Sequence, residues 1–444
     1  MRLRVEEAQL RLSRSLFFSC LDLPSDLTEV GNESFLGQVT LINYRKPGAV
    51  EFDCSYVMEA VFKSPSLDGN GRRLLNNYVY SENTFEREVE GHLLSVKGIF
   101  YCQQNSKTHV CAHACLRMAV NTIGNPEQFL TSAGINKFLN VSPPLSGLSV
   151  EQVHDVINAS GAAKSVIINC SGLENAVYLS SLASILESGY MCLLVFTTAG
   201  AEEHVVTVYG HTRNSDQWHP EAIPAYGGPS SAPFYSSSAW ISNYLIHDDN
   251  FGPYFTLSSR ALDSNPDVKA HWIIAVMPHS PATAPHVAEA IATAALSNNL
   301  VNFAPLGKGQ WFSYITRQHQ NFVLRTVLLT REEYMEHLKA SVGHDASKVT
   351  DQQLALYSPL PPLIWVVEYT LPYLYTGNRS KLGEVVVDAS KLATVNDNVG
   401  DFVAAIRLPG HALIKDTLGN FAFHPMDLDS HSPVFRRADN EHEW

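Results

Sequence analysis

The stretch QQNSKTHVCAHACLRMAV, Gln103 to Val120, holds two cysteines, two histidines and a pair of glutamines before its pattern turns helical. It reads as a metal knot, as ordinary core, or as the nucleophile end of an enzyme. From Val110 onward the apolar residues recur at helical spacing, and Gly124 suits a helix C-cap. Cys111 then stands in the first turn, where unpaired backbone N–H groups favour a thiolate. Cys115 lies one turn deeper on the same face, where packing is the expected role. The metal reading would use Cys102, His109, Cys111, His113 and Cys115. Zinc sites take paired C-x2–4-C and H-x3–5-H arms. The alternating Cys-x-His-x-Cys of a helix turns His113 away from both cysteines instead. A nucleophile is the better expectation, with no metal and no cofactor.

A thiol nucleophile needs a base held close and donors aimed at the developing oxyanion. Gln103 and Gln104 both stand far enough upstream to supply an amide donor, and Gln104 is preferred. The base is sought on another element, since a Cys–His pair is assembled in space. In ESGYMCLLVFTTAGAEEHVVTVYGH a strand runs up, a short loop turns, and His204 opens the returning strand. The next strand ends in YLIHDDNFGPY, and Asp248 stands where it gives way to a turn. An Asp there can orient the imidazole and stabilise its charged form. Asp249 and Asn250 compete for that role, and His211 and His247 are alternates for the base. Each also has an ordinary reading. His204 fits a strand-edge histidine capped by Glu202 or Glu203, and the Asp pair fits a self-bonded turn.

Between Cys111 and His204 come two further helices, LSVEQVHDVINASG with Ser149 as N-cap and AVYLSSLASILESG. The short β-branched or aromatic runs YMCLLVFTT, HVVTVYGH and YLIHDD follow them. Helices first and strands afterwards is an α+β order, not alternating βαβ. CAHACLRMA, GLSVEQVHDVINASG and HVVTVYGH…YLIHDDNFG together resemble the papain-like cysteine peptidases over residues 98 to 280. They are most similar to the branch with the double-glycine bacteriocin-leader peptidases. The resemblance implies a helical part packed on an antiparallel sheet. It also implies Cys111 as nucleophile, His204 as base, Asp248 as orienting residue and Gln104 as oxyanion donor. The chain departs from that pattern at Ala112 where Gly is expected, in the spacing from Gln104 to Cys111, and at Asp249 where Pro is preferred. A long insert also precedes Asp248.

The flanks carry no such motif. Residues 1–95 contain the strand-like runs FLGQVTLINYR, YVMEAVF and HLLSVKGIFYC and are expected to form a β-rich or mixed unit. Residues 96–280 form the peptidase-like unit. Residues 281–444 open with the helical ATAPHVAEAIATAALS and continue with NFVLRTVLLT, PLIWVVEYTL, GEVVVDAS and DFVAAIRLP, a further α+β unit. The Pro- and Ser-rich stretch between Thr212 and Trp240 is expected to be a long loop.

A net charge of −13 without clustered Lys or Arg argues against nucleic-acid binding. No apolar run reaches the ~20 residues of a membrane helix. The acidic Glu6 and Glu7 do not fit a signal or transit peptide. Seven cysteines, an odd number, fit reduced thiols in the cytoplasm. The expected activity is hydrolysis of a peptide or isopeptide bond in a peptide or protein substrate, with protein partners able to meet the flanking units. Acyl transfer to an amine, as in transglutaminases, and an inactive papain-like binding module are the alternatives.

Overall fold

The computed structural model describes residues 10–19, 32, 34–45, 50–52, 54–64, 77–79, 81–89, 91–104, 111–125, 129–141, 147–199, 203–213, 234–303, 322–393 and 397–437. The chain is α+β, and its strands fall mainly into three sheets. The first sheet takes β1 (Leu10–Ser19), β2 (Phe35–Arg45), β3 (Cys54–Lys63), β5 (Asn83–Val89) and β6 (His92–Tyr101), ordered β1-β2-β3-β6-β5 and antiparallel. The boundary expected near residue 95 therefore falls inside β6. The short β4 (Asn77–Val79) leaves this sheet and pairs with a strand of the next.

Helix α1 (Cys111–Ile123) is buried on two sides because small and apolar residues surround its axis. Ala114 and Met118 pack with Phe100 and Tyr101 of the first sheet and with Cys102 just after it. Cys115, Leu116, Ala119 and Val120 pack with the second sheet and with α2 (Ser132–Leu139) and α3 (Val150–Ala159). Ser149 caps α3 in a reciprocal capping box with Gln152, as its position predicts.

The second sheet contains β7 (Lys164–Asn169), β8 (Met191–Thr197), β9 (Glu203–Arg213), β11 (Ile241–Asp248), β12 (Gly252–Ser258) and β13 (Lys269–Met277). Its order is β12-β11-β9-β8-β13-β7, with every pairing antiparallel. β7 comes between α3 and α4 (Asn175–Glu187), so the helices do not all precede the strands as expected. SVIIN is a β-branched run too short to stand out beside the helical patterns around it.

The third sheet is ordered β10-β14-β15-β17-β18-β19-β20. It comprises β10 (Phe234–Ser236), β14 (Phe322–Thr330), β15 (Leu363–Thr370), β17 (Gly383–Asp388), β18 (Val403–Leu408), β19 (His411–Lys415) and β20 (Phe421–Pro425), while β16 (Ser380–Lys381) pairs elsewhere. β10 ends the stretch expected to be a loop. Residues 214–233 of that stretch lie outside the described residues, but its last part is core. Phe234 pairs in parallel with Phe322, and Trp240 is fully buried edge-on to Tyr375.

Helices α4 and α6 (Pro285–Phe303), with the short α5 (Ser259–Ser264) between them in the chain, lie between the second and third sheets. Leu182 and Leu186 of α4, Ala288, Ile291 and Leu296 of α6, and Leu324, Leu328 and Trp365 of the third sheet belong to one buried cluster that also takes in Leu194 and Val208. No helix among the described residues is long and apolar enough to cross a membrane.

Candidate active site

His204 is the second residue of β9, so its ring stands at the edge of the sheet where the strand begins. Its Nε2 donates to Asp248 Oδ2 at 3.0 Å, and the ring is also hydrogen-bonded to Cys111 at the start of α1. With Nε2 directed at the carboxylate, Nδ1 is the nitrogen left for the thiol. Phe196, opposite His204 in β8, meets the imidazole edge-on at 5.8 Å and limits its rotation. Cys111, His204 and Asp248, separated by more than ninety residues at the first step, thus form one chain of contacts.

Asp248 serves both of the roles open to it in the sequence. Its Oδ2 faces His204, while its Oδ1 accepts the backbone N–H groups of Asn250 and Phe251 at 2.8 and 3.1 Å. The first sheet holds the same residue from behind, as Tyr101 donates its hydroxyl to the Asp248 carbonyl at 3.1 Å. Tyr254 donates to the Phe62 carbonyl and ties the strand after the turn to β3. Gly98 makes room for this link: a Cβ there would lie 2.2 Å from the Phe62 carbonyl oxygen.

The alternates have other positions. His247 is fully buried, with its ring among Tyr101, Tyr209 and Tyr254, and burial drives its pKa down to about 3, so it stays neutral. His211 is fully buried 3.0 Å from Glu187. Asn250 points outward and accepts from Gln104. Gln103 is committed to β3: its N–H donates to the Val57 carbonyl, and its Oε1 accepts the Val57 N–H, each at 2.8 Å. Gln104 lies instead against the turn that follows Asp248, with Nε2 donating to Asn250 Oδ1 at 2.6 Å. Its Oε1 is buried without a hydrogen-bond partner among the described residues.

The cysteine and histidine set of the metal reading is not brought together. His113 is buried and bonds Asn136 of α2 at 2.7 Å, while Cys102 donates to the Ala114 carbonyl. His109 lies outside the described residues. Cys115 donates to the Val205 carbonyl at 3.3 Å, and burial pushes its thiol pKa well up. Cys102 is pushed up to about 11 in the same way. Cys111 keeps partial exposure.

Burial alone would lower the His204 pKa, but the hydrogen bonds to Asp248 and Cys111 and the charges of Asp248 and Asp249 raise it to about 10. The imidazole therefore holds its proton through neutral pH. This preference adds stability that is complete below the ordinary histidine value of about 6.5 and is lost as the pH rises through about 10. For Asp248, burial works against the carboxylate, yet the bond to His204 and the turn N–H groups outweigh it and lower the pKa.

Asp249, which competed with Asp248 for the orienting role, takes a different position. Its side chain is fully buried, with Oδ1 4.0 Å from His204 Nε2, and neither oxygen accepts a hydrogen bond from another described residue. Burial raises its pKa to about 6; His204 pulls it down and Asp248 pushes it up. Tyr101, Cys102 and Cys115 complete its ionisable surroundings. The folded state binds this proton more tightly than the unfolded chain, so the contribution is present below about pH 3.8 and is lost as pH rises through 6. Asp249→Asn is therefore expected to stabilise the protein at pH 8 by on the order of 2–3 kcal/mol, with almost no effect at pH 4. Thermal unfolding of both proteins at pH 4, 6 and 8 checks this. A loss of stability at pH 8 would mean that the His204 charge already compensates the buried carboxylate.

No family model matches the chain, and no curated protein matches it.

Proposed function

We propose that the chain is a thiol hydrolase of papain-like architecture that cleaves a peptide or isopeptide bond. The observation that carries this reading is the single imidazole, His204, bonded to both Cys111 and Asp248 at the mouth of a helix. Cys111 Sγ attacks the substrate carbonyl while its proton resides on His204. The backbone N–H of Cys111, at the helix N-terminus, stabilises the oxyanion, joined by the Gln104 amide once it releases Asn250. His204 then protonates the leaving amine, and the thioester is released by a water that His204 deprotonates. Asp248 keeps the ring oriented and balances its charge. The six described cysteines are free thiols, which supports a reducing compartment such as the cytoplasm.

The test is the rate at which iodoacetamide alkylates each cysteine between pH 5 and 9, read by peptide mass spectrometry. Cys111 is expected to label rapidly at pH 5.5, and His204→Ala is expected to slow it there by about tenfold or more. Slow labelling at that pH in both proteins would remove catalysis and leave a binding module.

A further inference from the structure

We propose that His204, Asp248 and Asp249 form a site for a divalent transition-metal ion such as zinc, which acts as a reversible brake on the Cys111–His204 pair. One ligand atom from each of the three residues lies within 4.8 Å of the others. His204 Nε2 is 3.0 Å from Asp248 Oδ2 and 4.0 Å from Asp249 Oδ1. Zinc bound at about 2.0–2.1 Å to nitrogen and oxygen needs ligand atoms about 3.3 Å apart, so the two His204 contacts close with shifts below an ångström and the carboxylate pair with at most about 1.5 Å.

Asp249 is the observation that separates this arrangement from an ordinary triad. Orienting the imidazole takes one carboxylate, and Asp248 supplies it. A second carboxylate, fully buried with neither oxygen hydrogen-bonded to another described residue, acts on the ring only through its charge at 4.0 Å. Burying such a group is unfavourable unless something pairs with it. A cation between the three side chains would supply that pairing, and the remaining coordination position is open to water.

The ligand set contains nitrogen and oxygen and excludes the Cys111 thiol, which meets the other ring nitrogen. The ion takes the place of the proton on Nε2, and that proton passes to solvent. With Nε2 on the ion the ring keeps its one proton on Nδ1 and could give it up only by becoming an imidazolate, so His204 can neither take the Cys111 proton nor pass one to a leaving amine while the ion is held. Removal of the ion restores the pair with no covalent change.

The proposal rests on the reading above only for the braking step; zinc binding is measurable whether or not Cys111 is a nucleophile. The experiment titrates the metal-free full chain with zinc against a chromophoric chelator at pH 7, for wild type, Asp249→Asn, His204→Ala and Cys111→Ala. One equivalent is expected to bind, at least about tenfold more weakly in Asp249→Asn and His204→Ala and unchanged in Cys111→Ala. Cobalt in place of zinc gives a readout on the wild-type protein alone. Weak visible bands without a sulfur-to-metal charge-transfer band are expected. Saturating zinc should also slow Cys111 alkylation to the His204→Ala level, with recovery on adding EDTA.

Absence of saturable binding, equal affinity in Asp249→Asn, loss of binding in Cys111→Ala, or a thiolate charge-transfer band would each overturn the site. Binding that leaves Cys111 alkylation in a reactive wild type unchanged would overturn the brake. If the metal-free protein shows no reactive Cys111 but binds zinc as described, the hydrolase reading fails and the site stands.

Discussion

Replacing Arg325 by methionine is expected to lower the folding stability of the chain by about 3–5 kcal/mol. Arg325 projects from β14 into the interior and is 1% exposed. Its guanidinium donates to Glu187 Oε2 through Nε at 2.7 Å, to Glu368 Oε2 at 2.8 Å and to the Phe435 carbonyl at 2.9 Å. Glu368 also accepts from Lys381 at 2.7 Å, and Lys381 lies 3.3 Å from Glu384. Glu384 in turn takes both Nε and Nη2 of Arg407 and the Tyr334 hydroxyl. The result is a dry chain of alternating charge, with Arg325, Lys381 and Arg407 against Glu187, Glu368 and Glu384. Burial would raise the Glu384 pKa, but Arg407 and Lys381 outweigh it and hold the carboxyl far below its usual range.

Removing one cation strands its partners, and the penalty of an unpaired buried charge exceeds what the pair itself contributes. Among the described residues Glu187 would keep His211, and Glu368 would keep Lys381 and the Phe435 N–H. The shift of the urea or thermal midpoint measures the loss. Adding Glu187→Gln to Arg325→Met should recover part of it, since one stranded carboxylate is then neutral. A loss below about 1 kcal/mol would mean that water reaches the stranded carboxylates.

This network is the part of the fold least readable from sequence, although each member leaves a trace. Arg325, Glu368, Glu384 and Arg407 each interrupt an apolar strand run: NFVLRTVLLT, PLIWVVEYTL, GEVVVDAS and DFVAAIRLP. One charge within a buried strand demands a partner, but period-2 reasoning cannot say which of the other strands supplies it. The candidate site was more readable because its chemistry coincides with element ends. Cys111 begins a helix, His204 begins a strand and Asp248 ends one, and such ends are visible as changes in pattern. Asp249 was read only as a competitor for the role of Asp248, for the opposite reason. It adjoins a residue with an assigned role, and sequence alone cannot separate a buried carboxylate from an exposed one. The Thr212–Trp240 stretch misled because Pro, Ser and Gly mark loops well, while three buried aromatics at its end carry the tertiary signal.

Ending the chain at residue 280 is expected to abolish cooperative folding, even though that point falls between two units in sequence. Helix α4 is buried at every position from Tyr178 to Glu187, which is possible only when both of its sides are covered. The second sheet covers one side. The other meets α6 and β14, where Ser180 donates to Glu289 at 2.9 Å and Ser188 accepts the Leu328 N–H at 2.7 Å. Without residues 281–444, Glu187 loses Arg325, and the shared core loses Ile291, Leu296, Leu324, Leu328, Trp365 and Val367, among others. At about 1.5–3 kcal/mol for each large side chain buried, the six named residues alone represent on the order of 10–15 kcal/mol. That equals the whole stability of a typical domain. The same deletion removes β14, the partner of β10, so Phe234 loses Phe322 and Trp240 loses Tyr375. The measurement is near-ultraviolet circular dichroism and thermal unfolding of residues 1–280 beside the full chain. Loss of the tertiary signal without a cooperative transition is the expected result, with Cys111 alkylation falling to the rate of an unfolded thiol. A sharp transition and unchanged Cys111 reactivity would instead make the third sheet a separable addition, and the buried charge chain an interface between two independently stable bodies.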